Sequence, residues 1–227
     1  DPAGDVATGS DGAVAVSSEV ADAADVATGD DSEIAADDVP QPAGRCADFQ
    51  PQRRVLWGDL HVHTALSLDA NLQGTMLRPA DAYRYARGEQ VGIQPYDETG
   101  EPLRKLTLDR PLDFAAVTDH AEFLGAVVVC STEGMPGYDH ADCVQFREDP
   151  DASFITLNFI LAYEPADVAP PALCGLDGAD CLQPARDAWA ETIAAAEEAY
   201  DTSDACAFSA LVAYEWSANP GTYNLHR

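Results

Sequence analysis

His61 and His63 stand one residue apart in "GDLHVHTALSLDA", directly after the apolar run Val55-Leu56-Trp57. The chain has only five histidines. In an extended strand, residues i, i+2 and i+4 share a face, so Asp59, His61 and His63 point the same way. Two imidazoles on one face form a chelate for a divalent metal, and Asp59 is placed to orient one of them from behind. Asp69 follows His63 by six residues. A second apolar run ends in "AVTDHAEFLG", which puts Asp119 and His120 at its carboxyl end, with Glu122 close by. A third ends in "AYEW", which puts Glu215 there, and His226 follows in "NLHR". Glu122 is open to two readings, a ligand or a surface acid, and the second is preferred. His140 lies in the loop "CSTEGMPGYDHADC" and reads as a surface residue.

Those positions need a scaffold. Val55 to His63, Leu112 to Thr118 and Cys206 to Trp216 are short, apolar and β-capable, as strands covered on both faces should be. A helix is expected from Pro79 to Glu89, with proline at a natural first-turn position. A second is expected from Pro184 to Tyr200, where Trp189, Ile193 and Ala196 recur at helical spacing and Glu191, Glu197 and Glu198 supply a wet face. The order is strand, helix, strand, insertion, helix, strand, an α/β pattern with parallel strands. In such folds sites are built at the carboxyl ends of the strands.

Composition sets bounds on partners. The 227-residue chain carries a net charge of −28, which argues against a nucleic-acid or anionic-membrane partner. Residues 1–44 hold eleven acidic residues and no basic or aromatic one. Such a segment buries too little apolar surface to fold, so a disordered acidic tether is expected, following a removed signal or lipid-anchor segment. The folded part is expected over 45–227, with an insertion at about 126–183. No apolar stretch reaches the length of a membrane span. The six cysteines contain no C-x-x-C pair. Cys130 with Cys143 and Cys174 with Cys181 close short Gly-containing loops, leaving Cys46 with Cys206. Three disulfides and an extracytoplasmic location, periplasmic, cell-surface or secreted, are therefore expected.

The motifs "WGDLHVHTALSLDA", "DFAAVTDHAEFLG" and "YEWSANPGTYNLHR" together resemble the PHP (polymerase and histidinol phosphatase) superfamily of metal-dependent phosphoesterases. They look most like its branch called domain of unknown function 3604. The resemblance runs over about residues 53–227 and is silent for the acidic segment and the cysteine-rich insertion. It implies the N-terminal part of a distorted (β/α)7 barrel carrying two or three Zn, Mn or Fe ions. The implied ligands are His61, His63, Asp69, His120, Glu215 and His226. Glu215 would bridge two ions, and Asp119, His120 and Glu215 would serve catalysis. Relatives often place the carboxylate of Asp69 five residues after the second histidine; here Leu68 makes it six. The family's fourth motif, a later histidine and an Asp-x-His pair, is not in the chain. A fragment with an incomplete site, inactive alone, is implied.

The implied reaction is hydrolysis of a small-molecule phosphate ester by a metal-activated hydroxide; Arg78 and Arg227 are candidates to contact the phosphate, though each reads first as an ordinary surface arginine. Two rivals stand beside it. An amidohydrolase also opens with H-x-H, but commonly needs a bridging lysine, and the one lysine, Lys105, precedes the second strand. A non-catalytic secreted metal-binding module would hold its ions in closed sites.

Overall fold

The computed structural model describes residues 46, 47, 49, 54–161, 171–175, 178–218 and 225–227. The expected acidic tether, residues 1–44, lies outside them. The chain divides into Asp1–Pro40 and Gln41–Arg227, and the site belongs to the second unit.

A parallel three-stranded sheet forms the frame, in the order β1 (Gly58–Val62), β4 (Phe114–Val117), β5 (Ser209–Val212). All three expected strands are present, each shorter than its apolar run. Only β4 is deeply buried. β1 and β5 are the sheet's edges and expose Leu60, Leu211 and Val212, so burial of every strand on both faces is not what the chain shows. Among the described residues the sheet does not close into a barrel.

α2 (Pro79–Ala86) opens with proline in its first turn, and the Asp81 carboxylate caps it by accepting from the Arg78 N–H (3.0 Å). Its Tyr83 is 1% exposed. The Tyr83 hydroxyl donates to the Leu211 carbonyl (2.9 Å) and accepts from the Val117 N–H (3.2 Å). One phenol thus ties α2 to the carboxyl ends of both β4 and β5, where unpaired backbone groups would otherwise be left buried.

An antiparallel hairpin that the apolar pattern does not announce, β2 (Val91–Tyr96) and β3 (Pro102–Leu106), lies between α2 and β4. Gly92 and Pro95 interrupt its first strand. The turn is set by Asp97, whose carboxylate accepts from the N–H groups of Thr99 and Glu101, and by Gly100 at φ +84°.

The cysteine-rich insertion is helical rather than looped. α3 (Leu124–Ser131), α4 (Ala141–Glu148), α5 (Pro150–Leu161) and a 3-10 turn (Ala172–Cys174) lead into α6 (Ala179–Ala199). α3 is apolar nearly all round because it is buried nearly all round. α3 packs directly on α6, and a Cβ at Gly125 would meet the Cys181 carbonyl oxygen at 2.2 Å. α6 starts five residues before the expected Pro184. Its first turns lie beside the Cys174–Cys181 disulfide, where proline removes one hydrogen bond without ending the helix. Disulfides join Cys46–Cys206, Cys130–Cys143 and Cys174–Cys181, the three expected pairs. They suit an oxidising compartment. No helix among the described residues is long and apolar enough to cross a membrane.

Candidate metal centre

The sheet delivers its strand ends to one place. Beyond β1 and β4 the ladder continues through Thr118, whose N–H donates to the Val62 carbonyl (2.7 Å) and whose hydroxyl accepts from the Val62 N–H (3.1 Å). A parallel bridge then pairs His120 with Glu215. The Glu215 N–H donates to the Asp119 carbonyl, and the Ala121 N–H to the Glu215 carbonyl. Backbone bonds therefore fix His120 and Glu215 side by side before their side chains interact.

Glu215, 4% exposed, is the hub. Its Oε2 lies 2.8 Å from both His61 Nε2 and His63 Nε2. Its Oε1 contacts His226 Nδ1 and lies 3.9 Å from His120 Nδ1. His226 reaches this point because β7 (Leu225–His226) pairs with β6 (Ser217–Ala218). On the other side, His63 Nδ1 lies 3.0 and 2.9 Å from the two Asp69 oxygens. The irregular spacing of Asp69 is absorbed by α1 (Leu68–Leu72), which starts at the extra residue and buries Leu68.

Three overlapping triads result: His61, His63 and Glu215; His63, Asp69 and His120; His120, Glu215 and His226. In each, the donor atoms lie within 4.8 Å of one another. All six ligands implied by the motifs are thereby brought together. Their donor set fits divalent ions: it is nitrogen and oxygen only, and every cysteine is in a disulfide. An open cleft lined by His61, His63, Asp69, Ala70, Gln73 and Thr75 joins the cluster to solvent.

The electrostatics match a site built for positive charge. Burial favours the neutral acid of Glu215, but His120, His63 and His226 outweigh it and hold its pKa below the usual value. Burial likewise opposes ionised Asp69, yet the bonds from His63 and Ser67 hold it far below the usual carboxylate range. Burial disfavours charged His63, but Asp69 and Glu215 raise its pKa. For His120 burial prevails and lowers it.

Four further residues have defined places, and the readings of Asp59 and Glu122 are corrected. Asp119, expected to serve catalysis, joins none of the triads. Its two oxygens accept from the Thr64 N–H and the Thr64 hydroxyl. Burial raises its pKa, and it braces the turn after β1. Asp59 does not orient an imidazole through any bond seen here; it accepts from the His61 N–H instead, because its short side chain folds back on its own strand. Arg78 is held by both oxygens of Glu191, so it is committed to an ion pair. Glu122 is not a surface acid. Its Oε1 accepts from the Ser217 N–H (2.6 Å), and its Oε2 is buried without a hydrogen-bond partner. His140 does sit at the surface, capping α4 by accepting from the Asp142 N–H.

Two serines were not visible to motif reading. Ser67 donates to Asp69 Oδ1 (2.6 Å) and accepts from the His120 N–H (3.1 Å). Ser217 lies between His120 and His226. The signal for Ser217 was its position two residues after Glu215 in extended chain, the rule that pairs His61 with His63.

No curated protein and no solved structure matches the chain. A family model does, over residues 50–227, which takes in all three motifs and every residue of the cluster; its description is protein of unknown function (DUF3604). With the model matching most of its length, the chain belongs to the DUF3604 family.

Proposed function

We propose that the cluster is a multinuclear metal centre that hydrolyses phosphate esters, in an extracytoplasmic protein of PHP type. The observation that carries the reading is the place of Glu215, whose two oxygens face different histidines and which belongs to two triads. A structural zinc site is one closed set of four ligands. A shared carboxylate beside an open cleft instead suits adjacent ions with room for a substrate.

Divalent ions held by these six residues would supply Lewis acidity toward a phosphoryl oxygen and would acidify water. The chain's own residues do the rest. Glu215 and Asp69 stay ionised and neutralise the positive charge. The backbone bridge at His120 and Glu215 keeps the donors preorganised. The cleft beside Gln73 and Thr75 admits the ester. No arginine or lysine lines that cleft among the described residues, so substrate charge would be met by the centre rather than by a side-chain cation. The structural disulfides and the acidic surface accord with life outside the cytoplasm.

Ion stoichiometry after reconstitution with Zn, Mn or Fe tests the centre, and at least two ions per chain are expected. Hydrolysis of a chromogenic phosphomonoester and phosphodiester, measured on the chain as its host produces it, tests the reaction. Failure to bind ions would sink both ideas. Ion binding with neither ester cleaved would sink the phosphoesterase reading and leave the centre standing.

A further inference from the structure

We propose that Glu122 and Ser217 are a positioning pair that holds the His120 and His226 rings in place for ligation; this rests on the metal-centre reading above. Ser217 is 4% exposed. Its Oγ lies 2.9 Å from His120 Nδ1 and 3.1 Å from His226 Nδ1. A hydroxyl carries one proton and two lone pairs, so it can hold both rings at once, donating to at most one of them.

The neighbours show what the placement serves. His226 Nδ1 also contacts Glu215 Oε1, and His120 Nε2 faces Asp69, 3.8 Å away. Ser217 thus stands between two rings that are each aimed at a carboxylate of the cluster.

Glu122 holds the hydroxyl in place. Its Oε1 takes the Ser217 N–H at 2.6 Å, locking the backbone that aims Oγ. Anchoring alone would not need a carboxylate, since an amide oxygen accepts equally well. The buried Glu122 Oε2 without a donor is unfavourable in a neutral setting and is offset when cations occupy the neighbouring cluster. Glu122 is thus both anchor and counter-charge, without belonging to any triad. Partners of this kind behind metal ligands typically govern affinity by about 10–100-fold.

The test is zinc binding by calorimetry on the full chain. Ser217→Ala and Glu122→Ala should each weaken binding roughly 10-fold or more. Ser217→Thr, which keeps the hydroxyl, should restore it, and Glu122→Gln, which keeps the acceptor and loses the charge, should fall between. Wild-type affinity in Ser217→Ala overturns the pair while leaving the metal centre intact. No zinc binding by the wild type overturns the metal centre itself. Should Ser217→Ala not fold, Glu122→Ala decides, and wild-type zinc affinity in that variant overturns the pair.

Discussion

Glu215→Gln is the perturbation that the geometry makes sharpest. The side chain keeps its shape and one acceptor oxygen, and it loses its charge. Glu215 belongs to two of the three triads, and Asp69 to one. The variant therefore leaves two triads with a pair of imidazoles and no anion, while His63, Asp69 and His120 remain complete. A contact to a charged group contributes up to about 3 kcal/mol. Losing that amount raises a dissociation constant roughly a hundredfold. The backbone bonds that place residue 215, to Asp119 and Ala121, do not involve the side chain, so the fold should survive. Competition titration with a zinc chelator, read beside far-UV circular dichroism, is the assay. The expected result is loss of tight ions down to about one per chain, with an unchanged spectrum. A Glu215→Gln protein that keeps wild-type stoichiometry and affinity would refute the idea that this carboxylate joins two triads, and with it the multinuclear reading.

Asp69→Asn should remove less, weakening one ion and sparing the two triads built on Glu215, and His140→Ala should leave zinc affinity unchanged; the same titration checks both. In ion-free protein, NMR of the ring C2 protons should show His63 titrating above 6.5 and His120 below it. The stability that His63 gains from its carboxylates is therefore present below 6.5 and lost as the pH rises through its folded value; thermal melts of wild type and His63→Gln should converge on that side. Removing the disulfide between Cys46 and Cys206, 160 residues apart, by paired serine substitution should cost about 2–5 kcal/mol, seen as a lower Tm in calorimetry. Gly58→Ala should destabilise by roughly 1–3 kcal/mol and weaken zinc binding, because its Cβ would meet the Phe114 carbonyl oxygen at 2.3 Å and shift β1, which carries His61.

The site was far more legible in the sequence than the body around it. A ligand must stand at a strand end with a fixed side-chain direction, so H-x-H, Asp119-His120 and Glu215 announce themselves by type and spacing. His226 was legible as a motif residue, although the strand pair that returns it to Glu215 was not. The helical insertion was hidden for a physical reason. α3 is buried on nearly every side and lacks amphipathic alternation, while Gly134, Pro136 and Gly137 mark only the short turn between α3 and α4. The β2–β3 hairpin was masked by Gly92 and Pro95. Glu122 was misjudged because an acid next to a motif is usually solvated; its hydrogen bond comes from Ser217, 95 residues away, which local pattern does not report.

That insertion is part of how the metal centre is held. Leu68, beside Asp69, and Phe123, beside Glu122, are both buried in the cluster formed by Val127, Val129, Phe146 and Leu173. The same cluster contains Cys130, Cys143, Cys174 and Cys181, so two disulfides lie inside the body that grips these anchors. Asp69 and Glu122 are thus each one residue from a side chain fixed in the stapled core. Main-chain bonds complete the attachment: the Asn71 side chain donates to the Ala65 carbonyl (2.7 Å), and the Arg147 guanidinium donates to the carbonyls of Cys130 and Tyr138. Four imidazoles around two carboxylates have little reason to stay apart without an ion, because the carboxylates draw their N–H groups in. A covalently braced scaffold under Asp69 and Glu122 resists that collapse from one side, while the parallel ladder of β1, β4 and β5 resists it from the other. The sheet sets where the histidines stand, and the insertion sets how far the acids can follow them.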